Sequence, residues 1–312
     1  MADITLSTAV RSNLLSLQST SGFIERTQGR LSTGLSVAGP VDDAVKFFQA
    51  KSLSDRASDL MNRKSSIEQG INALKTALEA TSAMEKLVDQ IKGVIDSARS
   101  GDPTQREAFN KQIGDLGQQL SHIVGDATYQ GLNLLNSTAS SLSVRFSDSA
   151  DSKLKVDGIN FELSGFIQVA TGGGSFSAVG LTFETAATEM GQKLLSALGF
   201  VAGISTFEFS TAATLASFNE QADLAVLSLD ATISNLRAEA AKMAGNVAIL
   251  QVRADFTQEY SNVLGSGASQ LTVADLNEEG ANLLALQTRQ QMGIQALSFA
   301  GQSEQAVLGL FR

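Results

Sequence analysis

The sequence predicts a mainly α-helical fold: a long coiled-coil-like rod formed by the N- and C-terminal segments together, with a small β-rich or α+β insertion in the centre. Three observations carry that expectation. Heptad rhythm runs through both ends of the chain, and the long seam from Leu60 to Ala98 contains no proline. From Ser137 to about Ala213 the rhythm gives way to short alternating runs separated by Gly, Asp and Ser.

The two ends are the most informative stretches. From Leu283 to Arg312 the only formally charged side chains are Arg289, Glu304 and Arg312. Alternating steps of four and three mark Leu276, Leu283, Ile294, Leu297, Leu308 and Phe311, with polar interruptions such as Gln287 and Gln290. Leu284, Met292 and Phe299 lie off that line, so this helix is apolar on more than one side and expects cover on more than one side. At the other end Val10, Leu14, Leu17, Ile24, Leu31 and Leu35 keep the same rhythm. A single seam is little to set against the entropy of ordering such long segments. Both ends are therefore expected to be disordered in the monomer and to order when neighbouring copies cover their remaining faces.

Between the ends, Ser36 to Pro40 should break the first helix, and Asp42 and Asp43 offer N-caps for a second. Its seam is regular from Leu60 through Ile67, Ile71, Leu74, Leu78, Thr81, Val88, Ile91 and Ile95 to Ala98. Ser100-Gly101 stops it. Asp102-Pro103-Thr104-Gln105 restarts a helix with seam residues Phe109, Ile113, Leu116, Leu120 and Ile123, ending near Gly131.

Within the insertion, Leu142–Phe146, Leu154–Val156, Ile159–Leu163 and Leu181–Phe183 read as strands, and Ala187–Leu198 as a helix. Nine of the sixteen Phe fall between Phe146 and Phe218, which supports a separate small core there. Gly172-Gly173-Gly174 reads as a loop tip; no helix with Lys-Ser/Thr follows to make it a phosphate cradle. Heptads resume at Leu229 and continue through Ile233, Leu236, Met243, Val247, Leu250 and Ala254 to Leu264. Gly265-Ser266-Gly267 should break that helix before the terminal segment.

Composition narrows the function. A net charge of −9 with no basic run argues against nucleic-acid or anionic-membrane binding. No stretch approaches a membrane-spanning length, and the segment from Met1 to Leu17 lacks the apolar run of a cleaved secretory signal. With no Cys there is no disulfide, thiol nucleophile or thiolate metal site. The single histidine, His122, cannot form a His-Glu-x-x-His zinc site, and no Gly-x-Ser-x-Gly elbow exists. Asp42-Asp43 reads as a helix cap, and Asp148, Asp151 and Asp157 as turn residues without calcium-loop spacing. The chain is thus expected to be a structural protein with no catalytic residue, metal or cofactor.

Several motifs resemble one family. Asn13-Leu14-Leu15-Ser16-Leu17, Arg30-Leu31-Ser32-Thr33-Gly34-Leu35, Asp42-Asp43-Ala44 and Ile67-Glu68-Gln69-Gly70-Ile71 are similar to the N-terminal signature of bacterial flagellins. Thr128 to Leu135 looks like the turn that ends their second rod helix. Leu250-Gln251-Val252-Arg253 and the tail closing on Leu308-Gly309-Leu310-Phe311-Arg312 resemble their C-terminus. Gly39-Pro40 and Glu304, where such tails often carry proline, are departures.

The resemblance implies a secreted, extracellular homo-oligomer: a filament subunit exported by the flagellar type III system for swimming motility. It implies a terminal coiled coil from residues 1–40 and 271–312, a helical rod from 41–139 and 216–270, and a variable outer part from 140–215. The implied partners are a flagellar export chaperone, the filament cap and hook-junction proteins, with no nucleic acid and no membrane insertion. Asp89, in Val88-Asp89-Gln90-Ile91-Lys92, stands where the patch gripped by vertebrate innate receptors would carry Arg, so weak receptor recognition is expected. The competing readings are a hook–filament junction protein and a cell-surface binding or adhesion module.

Overall fold

The structure, a computed structural model, describes residues 8–100, 103–147, 149–161, 167–171, 175–179 and 212–310. The predicted strand Leu181–Phe183, the predicted helix Ala187–Leu198 and the Gly172–Gly174 tip lie outside the described residues. The helices are α1 (Thr8–Thr33), α2 (Ala44–Ala98), α3 (Pro103–Asp126), α4 (Ala212–Thr272) and α5 (Leu276–Leu310). The mainly α class expected from the heptads is the class observed. The chain divides into two compact units, one holding residues up to Asp59 and from Glu259 onward, the other Leu60–Gln258.

In the Leu60–Gln258 unit the heptad residues of α2, α3 and α4 converge on one core. Ile67, Leu74, Val88, Ile91 and Ile95 of α2 meet Ile113, Leu120 and Val124 of α3 and Leu229, Leu236, Met243 and Leu250 of α4, all buried. Met84, between the seam residues Thr81 and Val88, is fully buried. Thr81 is buried with its hydroxyl donating to the Ala77 carbonyl at 2.8 Å, so the polar seam residue leaves no orphan group.

Among the described residues, three antiparallel hairpins belong to this unit. β1 (Thr128–Tyr129) and β2 (Leu132–Asn133) are joined by Gln130 (φ 50°) and Gly131 (φ 81°), two residues with positive φ, as a tight hairpin turn requires. The third helix therefore ends at Asp126 and not near Gly131, because the segment 128–133 pairs with itself.

β3 (Ser141–Arg145) pairs with β4 (Lys153–Asp157), turning Leu142 and Val144 toward α2 and α4: an added Cβ at Gly70 would meet Val144 and Leu250. Of the predicted strand Ile159–Leu163, the described residues Ile159–Phe161 do not form a strand, and residues 162 and 163 lie outside the described residues. The amides of Ile159 and Phe161 donate to the carbonyls of Leu134 and Leu135, which seats Phe161 in the core. β5 (Ile167–Thr171) and β6 (Ser175–Val179) form a further hairpin that the alternation did not mark.

In the other unit, α1 and α5 lie along one another over their length. Here the expected break at Gly265-Ser266-Gly267 is overturned: α4 continues unbroken to Thr272. Glycine in a helix interior costs about 1 kcal/mol each, an amount that local packing offsets. Gly267 faces Leu53, and Ala268 next to it is buried.

Candidate assembly surface

Part of the set singled out at the chain ends comes together in the unit that holds residues up to Asp59 and from Glu259 onward. α1 ends where Gly34, with φ 72°, donates its amide to the Arg30 carbonyl at 2.8 Å, a left-handed cap. The chain then pairs briefly with the α4–α5 connection. Leu35 bridges Val273, the Ser36 amide donates to the Thr272 carbonyl at 2.7 Å, and the Ala274 amide to the Gly34 carbonyl at 2.9 Å. Gly34→Ala is expected to lower the melting free energy of this unit by about 1–2 kcal/mol, the left-handed cost of a Cβ, as read by thermal unfolding; an unchanged melt would remove the cap from the argument.

Asp42 and Asp43 divide the capping work. The Asp42 carboxylate accepts from the Ala38 and Gly39 amides at 3.0 and 3.2 Å and closes the Gly39-Pro40 turn. The Asp43 carboxylate accepts from Lys46 N at 3.1 Å and caps α2. A third cap was not anticipated: Asp275 accepts from the amides of Asn277 and Glu278 at the start of α5. One turn on, Glu279 is buried and takes a 2.8 Å hydrogen bond from Arg30, tying the last turn of α1 to the first of α5. The helix N-terminus also favours a carboxylate at that position.

The contact line between α1 and α5 follows heptad spacing with a different selection of residues from the one written by hydrophobicity. On α1, Val10, Thr20, Ile24 and Thr27 are buried and Leu17 and Leu31 half-buried, whereas Leu14 is 41% exposed. On α5, Leu283, Leu286, Gln290, Gly293 and Leu297 are half-buried, whereas Leu276 and Ile294 are 52% and 56% exposed. Gly293 lets the helices close: an added Cβ would stand 2.8 Å from Leu17. The side chain of Leu308 and the whole of Phe311 lie outside the description. Of the motif residues, Ser32 is exposed and Leu35 half-buried.

This pairing leaves large apolar groups uncovered. Leu15, Phe23, Leu284, Met292 and Phe299 are exposed, Phe299 to 71%. At the head of α2, Val45 and Phe48 border a groove of about 740 Å³ with Leu53 and Leu271.

The surface of the Leu60–Gln258 unit carries ion pairs beside exposed apolar residues such as Val252 and Phe256. Arg237 pairs with Glu85 and Lys92 with Asp230. The hydrogen bond and charge of Glu85, then the charge of Asp89, hold the Arg237 proton more tightly than usual. Asp89 and His122 are both exposed. Among the described residues no group of His, Asp or Glu is placed to hold a metal ion, and no helix is long and apolar enough to cross a membrane.

Two family models match the ends of the chain. Residues 5–140 match the bacterial flagellin N-terminal helical region, and residues 228–311 the C-terminal helical region. The chain belongs to the bacterial flagellin family. Curated relatives agree over full length: Flagellin C of Rhizobium meliloti (strain 1021) is 26% identical and a flagellin of Brucella melitensis biotype 1 is 26% identical, each comparison covering 100% of both chains. A solved structure described as a flagellar hook-associated protein of Vibrio parahaemolyticus shares the fold with a TM-score of 0.50 at 13% identity, covering 74% of this chain and 100% of that one. This flagellin is a structural subunit of the flagellum, an extracellular appendage, and its paired terminal helices lie within the two matched regions.

Proposed function

We propose that this chain polymerises into the helical flagellar filament that drives swimming, after export through the flagellar type III route. The observation that carries the reading is the α1–α5 hairpin: it buries one stripe of each helix and leaves Leu14, Ile294 and Phe299 uncovered on others. Head-to-tail contacts that do not close produce an open helical polymer, and apolar faces on two terminal helices suit such contacts. In this reading residues 1–40 and 271–312 make the inner coiled coil and order fully on assembly, 41–139 and 216–270 the surrounding rod, and 140–215 the outer part. Export chaperone, filament cap and hook-junction proteins are its partners.

Ile294→Asp and Phe299→Asp are expected to abolish seeded polymerisation, seen by negative-stain microscopy, with the melting of the monomer unchanged. Normal filaments from both variants would sink the proposal. Full-length chain should form long filaments and a version trimmed to residues 40–270 none. Short rings from the full-length chain would favour a hook–filament junction role, the second reading, which the likeness to the Vibrio structure keeps in play. The exposed Asp89, beside the Glu85–Arg237 pair, adds negative charge to the α2 face and supports weak recognition by vertebrate innate receptors. Strong receptor activation by purified monomer would overturn that expectation.

A further inference from the structure

The hairpin of β3 and β4 has two unequal edges. The Phe146 amide donates to the Ser152 carbonyl and the Gly158 amide to the Ser140 carbonyl, in a register that pairs Leu142 with Val156 and Val144 with Leu154. Those bonds use the even-numbered residues of β3. The N–H and C=O groups of Ser143 and Arg145 therefore point away from β4, along an edge with no strand beside it among the described residues. On β4 the corresponding outward residues are Lys153, Lys155 and Asp157, with Lys155 paired to Asp157 at 2.7 Å; charge of this kind keeps an edge from accepting another strand.

The β3 edge borders a groove of about 470 Å³. Its floor is one face of α2, with Arg63, Gln69 and Ala73, and its far wall is the β1–β2 hairpin, with Tyr129 and Leu132. Among the described residues no acidic side chain lines it, although the whole chain carries a net charge of −9. Arg145 is exposed at the rim on the outward face of β3, and among the described residues it makes no ion pair.

The geometry points to strand addition: β3 accepts an extended acidic peptide from another polypeptide, a function beyond filament assembly. Main-chain bonds to Ser143 and Arg145 supply the pairing, and a carboxylate on the added strand meets Arg145 across it. The groove spans Leu142 to Arg145, so it holds a short segment, and its floor of Ser66, Gln69 and Ala73 suits small side chains on the inward face.

The test uses full-length protein and a labelled seven-residue peptide alternating valine with glutamate, followed by fluorescence anisotropy. Saturable binding is expected, absent for the same peptide with lysine in place of glutamate, and lost when alternate peptide amides are N-methylated. Arg145→Glu and Ser143→Pro should each raise Kd at least about tenfold. Proline at position 143 removes an N–H that the β3–β4 ladder does not use, and matched melting curves establish that the hairpin is intact. Should that variant fail to fold, Arg145→Glu and the N-methylated peptide decide the matter. No saturable binding, equal binding of the lysine peptide, or unchanged Kd in the variants overturns the assignment.

Discussion

Glu279→Ala is expected to release the first turn of α5 from the last turn of α1, opening the α1–α2 connection to hydrogen exchange while the Leu60–Gln258 core stays protected. Removing one partner of a buried pair costs about 3–5 kcal/mol when both groups are dry. Here the Glu279 side chain is 11% exposed but that of Arg30 is 34%. Solvent already shares the guanidinium, so about 1–3 kcal/mol is the expected loss. The amides of Gly34, Ser36 and Ala274, bonded within the same junction, should exchange about fivefold to a hundredfold faster, since 1.4 kcal/mol is a factor of ten.

Arg30→Ala should do more harm than its exposure alone suggests, because it strands a buried carboxylate. The double variant should then cost less than the sum of the two single ones, the signature of a direct coupling. Unchanged exchange at Gly34 and Ala274 in Glu279→Ala would show that the backbone stitch between the two connections holds the junction without the ion pair. Loss of the junction should also lower filament yield, since both terminal helices are hung from it.

The ion pair marks the limit of what the chain reveals when read in order. Arg30 was visible only as part of a motif, and its partner lies 249 positions away with nothing local to announce it. The long seams of α2 and α4 were legible because a large apolar side chain recurs at nearly every heptad position, and a three-helix core buries most of those residues. The α1 seam was written with Leu14 because hydrophobicity alone selects it over Asn13. The fold buries Thr20 and Thr27 in its contact line instead, as Thr20 can return its hydroxyl to the Ser16 carbonyl and present a methyl group.

The Gly265–Gly267 break failed for the opposite reason: glycine opposes a helix locally, and packing against Leu53 supports it from outside the segment. The third cap, Asp275, could have been found from its Glu278 and Glu279 neighbours, an acidic first turn after an Asp. The β3 edge could not, because which groups of a strand are left unpaired depends on register.

Asn133→Ala should unfold the end of the helical bundle more severely than any surface change, and the reason lies in how completely one buried amide is used. The Asn133 side chain donates to the Val124 carbonyl at 2.6 Å and the Gly125 carbonyl at 3.2 Å, closing the C-terminus of α3. Its oxygen accepts from the amides of Leu135 at 2.8 Å and Asn136 at 3.2 Å, setting the chain that carries Leu134 and Leu135 into the core. Truncation leaves several of these groups unpaired, at about 1–3 kcal/mol for each one that stays buried; a total loss of about 2–4 kcal/mol is expected in thermal or denaturant unfolding.

Asn133→Asp keeps the shape but removes both donors and sets a negative charge against helix carbonyls, which raises the pKa of the introduced carboxyl in the folded state. Its ionised form is penalised only when folded, so the penalty is absent below the unfolded carboxylate pKa and grows as pH rises through the folded one. Below that range the protonated carboxyl can donate to Val124 again. The aspartate variant should therefore gain stability relative to the parent as the solution is acidified, while the alanine variant shows a pH-independent deficit. Parallel pH profiles for the two variants would mean that Asn133 serves the fold through packing and that its donors to α3 are dispensable.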